Sequence, residues 1–165
     1  MLIVITGPAG SGKSTVSREL AKRLDKSACI DVDRVKDFIV NTFIYGKAPE
    51  GVWQWKLLGK NIGLLAKNYL ESGLETIIEG YISRDAWAEV YKYVKPDYEF
   101  LLLPMRNVTI SRDLARVENE RMGEEIVATH HEHFSTEPIF DRFIKIDSSD
   151  EEVDITVQKI LDRIF

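Results

Sequence analysis

Residues 7–15 read GPAGSGKST, a run that fits G-x-x-x-x-G-K-S/T without a gap. Glycines at this spacing let the backbone turn inward, so that successive N–H groups can surround an anion. The residues that follow carry the period of an amphipathic helix, and the positive end of its dipole would add to the same attraction. Lys13 supplies a full charge at the rim, placed to reach a terminal phosphate, and Ser14 a hydroxyl suited to Mg²⁺. A glycine-rich strand–helix turn that binds nothing is the bland alternative. The complete motif, with a strand before it and a helix after it, argues against that reading.

The elements that must hold this turn are legible in outline. Residues 2–6 form a continuous apolar run rich in β-branched side chains, as expected of a strand buried on both faces. Further short apolar runs fall at 28–31, 75–79, 99–103 and 143–146. Helical stretches separate them at 14–24, 34–43, 53–72, 85–94, 108–121 and 151–164, with a shorter candidate at 124–134. Such alternation means a parallel sheet with helices on both faces. Ligands bind such sheets beyond the carboxyl ends of the strands, so chemistry is expected in the loops after Thr6, Ile30, Ile78 and Leu103.

The 165 residues are read as one domain, with no repeat, low-complexity segment or linker. Hydrophobic and charged fractions of 44% and 30% are those of an ordinary globular protein. A net charge of −5 speaks against holding nucleic acid by bulk electrostatics. The lone cysteine, Cys29, excludes an internal disulfide and fits a reducing cytoplasm. The apolar N-terminus is too short for a signal peptide or a membrane span.

The second strand runs into Asp31-Val32-Asp33. A hydroxyl that attacks a phosphoryl group needs a residue to orient it and take its proton, and a metal whose waters are held in place. Two carboxylates can divide these tasks, Asp31 towards Mg²⁺ and Asp33 towards the acceptor. The structural alternative is that Asp33 caps a helix starting at Arg34.

GPAGSGKST is the P-loop, or Walker A motif, of nucleoside-triphosphate enzymes. Followed by D-x-D at the end of the second strand, it resembles the small P-loop kinases of shikimate, gluconate and adenylylsulfate. The separation of Lys13 from Asp33 is also similar to that in polynucleotide 5′-hydroxyl kinases and chloramphenicol phosphotransferase. The resemblance implies a three-layer α/β P-loop NTPase fold: a five-stranded parallel sheet of order 2-3-1-4-5, with an arginine-bearing lid at about 112–134. It implies ATP and Mg²⁺ as cofactors. Gly7, Pro8, Ala9, Gly10, Ser11, Gly12, Lys13, Ser14 and Thr15 would contact the nucleotide, Ser14 and Asp31 the metal, and Asp33 the acceptor hydroxyl. The middle residue of DVD is not the glycine of the gluconate and adenylylsulfate enzymes. IIEGY at 77–81 replaces the triple glycine of shikimate kinases, so their acceptor pockets do not carry over.

Downstream, Arg112 and Arg116 are four residues apart on one helical face, with Arg121 just before Met122-Gly123, a break in the helix. Arginines on a mobile segment can meet the charge of a migrating phosphoryl group, and the resemblance places a lid here, with Arg116 the first choice. A solvated face paired with Glu118, Glu120, Glu124 and Glu125 is the alternative. Glu79 and Gly80 end the third strand, where a carboxylate could hold a metal-bound water or a substrate hydroxyl, or simply end the strand. Tyr81 and Arg84 could line an acceptor pocket. Trp53 and Trp55 cannot share a helical face, so one is expected in the core and one could stack on a ring; Trp87 reads as core. His130, His131 and His133 lack the usual i, i+4 pair for zinc and read as a polar helix surface. Residues 146–150, IDSSD, resemble the loop that packs on adenine, read by its backbone, and Asp147-Ser148 also signals a helix start.

A phosphotransferase acting on a small-molecule hydroxyl is the leading expectation, as a monomer or homodimer with no membrane partner. A 5′-hydroxyl kinase of RNA or DNA ends is the alternative in another acceptor class, helped by Lys56 and Lys60 on one helical face. A nucleotide-dependent switch is the third; N/T-K-x-D, D-x-x-G and LSGGQ strings do not occur.

Overall fold

Every residue of the first strand, β1 (Leu2–Thr6), is buried, as its unbroken apolar character requires. The computed structural model describes residues 1–40, 43–45 and 48–165. After β1 come α1 (Lys13–Arg23), β2 (Ser27–Asp31), α2 (Val32–Lys36), α3 (Pro49–Glu71), β3 (Glu75–Glu79) and α4 (Arg84–Val90). The chain continues through β4 (Tyr98–Leu102), α5 (Arg106–Leu114), α6 (Glu124–Thr136), β5 (Ile144–Ile146) and α7 (Val153–Ile164). The strands form one sheet in the order β2-β3-β1-β4-β5 with helices around it, the α/β topology expected from the sequence. Ladders are parallel, with Asp31 of β2 opposite Glu79 of β3 and Leu102 of β4 opposite Ile146 of β5.

Packing divides the chain into two compact units, Met1–Val4 with Ala21–Asp97, and Ile5–Leu20 with Tyr98–Phe165. In the first, Trp55, Leu58, Ile62 and Ala66 repeat along one buried face of α3, which packs on α4 and on β2 and β3. Trp87 is core, as expected, and of the tryptophan pair Trp55 is buried while Trp53 is exposed. The edge of the unit is held where the Leu2 N–H donates to the Asp97 carboxylate at 2.7 Å. In the second unit Phe100, Leu101 and Leu102 of β4 are fully buried, and Val127 and Phe134 of α6 with Val157 and Ile160 of α7 complete the core.

Three expected helices are shorter than their sequence period implied, and the one expected over 85–94 is α4, which ends at Val90. The helix expected over 34–43 is α2, which ends at Lys36; residues 41–42 lie outside the described residues. Phe38 and Val40 are largely exposed, so no buried face rewards continuation, and β-branched Ile39 and Val40 are poor helix formers. The helix expected over 108–121 ends at Leu114, with only a 3₁₀ turn at Glu118–Glu120 beyond it. Asp113 is the reason. It is completely buried, and its carboxylate accepts from the Met122 N–H at 3.1 Å and the Gly123 N–H at 3.0 Å, folding the chain back. Arg112 and Arg116 therefore do not share a continuous helix.

The tightest crossing in the first unit is α3 against α4, where a Cβ on Gly59 would lie 2.2 Å from the Ala86 carbonyl oxygen. Gly59→Ala must push the helices apart, and urea titration is expected to show a loss of about 1–3 kcal/mol.

Candidate active site

The glycine turn of residues 7–15 lies in the second unit. Beyond Thr6 the backbone reverses, the Ser11 N–H donating to the Pro8 carbonyl at 3.2 Å. Gly10 has φ 77°, and a Cβ there would lie 2.2 Å from the Thr109 carbonyl oxygen, so only glycine fits. α1 begins at Lys13, and the first-turn N–H groups of a helix point back towards the loop that precedes it. Lys13 folds over the loop and donates from Nζ to the Pro8 carbonyl at 3.4 Å. Ser14 follows in the first turn, half-buried, and Thr15 is exposed.

A cavity of about 280 Å³ opens beside this turn, lined by Gly10, Ser11, Gly12, Thr15 and Val16, and across from them Arg112, Arg116, Ser148, Glu151, Val153 and Thr156. Its walls are pinned to one another. The Arg112 guanidinium donates from Nη2 to the Ser148 carbonyl at 2.8 Å and the Ser149 carbonyl at 3.3 Å. The buried Ser148 hydroxyl donates to the Ser11 carbonyl at 3.4 Å. Asp147 does not start α7 as expected. Its Oδ1 accepts from the Ser149 N–H at 2.9 Å and the Ser149 hydroxyl at 2.5 Å, closing a turn, while α7 begins at Val153. Those hydrogen bonds, side chain first, hold the Asp147 carboxyl below its ordinary value, with Lys159 and Arg112 adding to the effect against a small burial cost.

The three expected arginines divide. Arg112 and Arg116 line the cavity; Arg116 sits just past α5, 3.9 Å from the Asp113 carboxylate. Arg121 is exposed and donates from Nε to the Arg116 carbonyl at 2.8 Å, and it is not among the lining residues. The histidines are not the solvated surface expected of them. His131 Nε2 lies 2.9 Å from the Pro104 carbonyl, and His133 packs edge-on against Phe134 and Phe140. His130 is half-buried and feels the charge of Lys13. Burial first, then Lys13 and His133, lower its pKa.

The first unit holds the other expected residues. Asp31 and Glu79 are neighbours across the β2–β3 ladder. The helix cap is Asp31, not Asp33: its Oδ1 accepts from the Asp33 N–H at 3.0 Å and the Arg34 N–H at 3.2 Å. Asp33 is exposed, and its Oδ1 accepts from Lys36 Nζ at 2.6 Å. Lys36 also lies 5.4 Å from the Tyr45 ring and 6.0 Å from that of Phe43. Burial works against its charge, but the hydrogen bonds to Asp33 and Tyr45 and their charges prevail, so its pKa is raised. Phe43 and Tyr81 meet Trp55 edge-on at 4.9 and 5.7 Å, extending an aromatic cluster from Lys36. Glu79 is buried, Gly80 follows it, and Arg84 opens α4 on the surface.

The sequence pattern of the AAA domain family matches residues 3–155. The chain belongs to the AAA domain family. No curated protein matches it. In structure this AAA domain is similar to an unliganded sugar kinase from Janibacter sp. HTCC2649, with TM-score 0.70 and 17% identity over 99% of this chain and 93% of that one. Shikimate kinase from Acinetobacter baumannii, in complex with shikimate, aligns with TM-score 0.66 and 19% identity over 99% and 92%. The tunicamycin resistance protein of Deinococcus radiodurans aligns with TM-score 0.70 and 17% identity over 99% and 94%. At such identities the likeness concerns the fold, which is that of the P-loop kinases.

Two measurements check this site. Asp113→Ala removes a fully buried acceptor from two backbone N–H groups, and denaturant unfolding is expected to show a loss of about 1–3 kcal/mol. For His130, a lowered folded-state pKa means that the unfolded chain binds the proton more readily. Its contribution to stability is therefore full above the unfolded midpoint and falls as pH drops through it. Histidine ring resonances should give His130 a midpoint below that of a solvent-exposed histidine. Tripolyphosphate bound beside Lys13 should move that midpoint up.

Proposed function

We propose that this chain is an ATP-dependent phosphotransferase that moves the γ-phosphoryl group of Mg·ATP to a hydroxyl of a small molecule, in the reducing cytoplasm. The observation that carries the reading is the glycine turn at the start of α1, with Lys13 folded over it and the Arg112–Arg116 cavity beside it. The kinases among the structural neighbours support it.

The acceptor hydroxyl gives its proton to Asp33 while its oxygen attacks the γ-phosphorus. The bond from that phosphorus to the β–γ bridging oxygen breaks, and ADP leaves. Lys13 and the loop N–H groups hold the phosphates, and Arg116 meets the charge on the transferring group; in this reading it is the acting residue of the lid. Arg121 supports Arg116 through its carbonyl. Arg112, tied to the 148–149 carbonyls, holds the nucleotide in place. The donors suited to Mg²⁺ are hard oxygens, the Ser14 hydroxyl and the Asp31 carboxylate. The ion held there would offset the charge of the phosphates. Lys36 fixes Asp33, and Glu79, Gly80, Arg84 and the exposed rings of Tyr45 and Tyr81 shape the acceptor side. In this proposal the two packing units act as one kinase domain.

The test is to incubate the protein with Mg·ATP, cell metabolites and short 5′-hydroxyl oligonucleotides, and to follow products by mass spectrometry beside Asp33→Asn. A small molecule that gains one phosphoryl group in the wild type, and about 100-fold less in the variant, is the expected result. A phosphorylated oligonucleotide end would replace the small-molecule reading. Tight nucleotide binding with no product would point to a regulatory switch.

A further inference from the structure

We propose that the acceptor is an aromatic alcohol, a planar ring that carries its hydroxyl on a short arm, and not a polyol; this rests on the phosphotransferase reading above. Its basis is a set of rings beside Asp33 in the first unit. Trp55, 7% exposed, lies at the centre. Phe43, Tyr45 and Tyr81 each meet it across a steep interplanar angle, 81°, 69° and 86°, with centroids 4.9, 6.2 and 5.7 Å away. Tyr45 is 63% exposed and Tyr81 36%, so two of these rings offer surface to a ligand. Neighbours outside the cluster fix their positions. The Ile44 N–H donates to Oε1 of the buried Gln54 at 2.5 Å, which pins residues 43–45 to α3. Gly80 has φ 134°, and a Cβ there would lie 2.7 Å from the Val32 Cβ. The chain leaving β3 therefore runs against the start of α2, and Tyr81 is its next residue.

One ammonium ties these rings to the proposed base. Lys36 Nζ donates to Asp33 Oδ1 at 2.6 Å, and it lies 5.4 Å from the centre of the Tyr45 ring and 6.0 Å from that of Phe43. A ring seated against Tyr45 therefore needs an arm of only a few bonds to bring a hydroxyl to the Asp33 carboxylate. Aromatic walls gain from a further ring through edge and offset contacts, beyond the area buried. A polyol gains nothing comparable, because each hydroxyl must exchange water for a new partner and ring carbons supply none. In the transfer the ring is a spectator. The arm's oxygen bonds the γ-phosphorus, its proton goes to Asp33, and the bond from that phosphorus to the departing ADP oxygen breaks.

The experiment measures phosphoryl transfer from Mg·ATP to three kinds of probe: benzyl alcohol and phenylethanol, cyclohexylmethanol and cyclohexylethanol, and the polyols sorbitol and inositol. Phenyl and cyclohexyl probes match in arm and carbon count, but only the phenyl ring is planar. For each phenyl alcohol kcat/KM is expected to exceed that of its cyclohexyl counterpart about tenfold, the worth of one or two ring pairs, with the polyols lower still. Tyr45→Leu and Tyr81→Leu keep apolar bulk and lose the ring, and each should cut that ratio about threefold. Tyr45→Phe and Tyr81→Phe should preserve it. Because the ratio is read within one protein, loss of folded material in a variant cancels. Equal kcat/KM for phenyl and cyclohexyl alcohols overturns the proposal, as does a polyol that outpaces both; either leaves the kinase reading standing, since transfer is seen. A ratio unchanged in both leucine variants overturns it too, because the ring would then bind elsewhere. Transfer to none of the probes overturns it as well, and the kinase reading is then decided by the metabolite mixture described above.

Discussion

Terminal phosphates are strongly solvated anions, and a protein that binds them must replace that water with N–H donors already in place. In the turn proposed to hold them, Gly10 takes a backbone conformation closed to other residues, tight against the Thr109 carbonyl of α5. The contact has a consequence beyond the turn. Because α5 is seated on the loop, Arg112 and Arg116 near its end face the same cavity. The Ser148 hydroxyl and the Arg112 guanidinium then tie the 147–150 turn to both. The nucleotide side is thus one cross-braced structure, and little of it needs to reorganise to take a ligand.

Asp113 makes a different contribution. A fully buried carboxylate would be expensive alone, but two backbone N–H groups and the nearby Arg116 satisfy it. Its effect is to end α5 and return the chain into α6, whose His131 contacts the Pro104 carbonyl. The arginine segment is therefore short and anchored at both ends. What movement it has lies between Ala115 and Met122, where the described residues are largely exposed.

The glycine turn and the parallel α/β alternation were legible from local spacing, and the strand order from the family resemblance. GPAGSGKST needs no partner outside itself to specify its turn, and apolar runs separated by helices leave few topologies. The length of α5 was not legible, since nothing in the run from Val108 to Arg121 opposes a helix locally. Only the distant pairing of Asp113 with residues 122–123 does. The structural alternative for Asp33, a helix cap, falls to Asp31 for a related reason: either aspartate of DVD can cap, and the strand's end at Asp31 decides which does. His130 read as a polar helix surface, and Lys36 was not singled out. Their significance lies in what they meet, Lys13 and Asp33, and polar residues on helices are ordinarily solvated. For Lys36 alone a hint existed, its i, i+3 spacing from Asp33.

The account stands on the turn at residues 7–15 holding phosphate through its backbone. The most direct measurement is a two-dimensional ¹⁵N–¹H spectrum of the labelled protein with and without a non-hydrolysable Mg·ATP analogue. The account predicts that the amide resonances of Gly10, Gly12, Lys13 and Ser14 move most, with slower exchange with solvent. Saturating analogue that leaves these amides unmoved while others shift would contradict it.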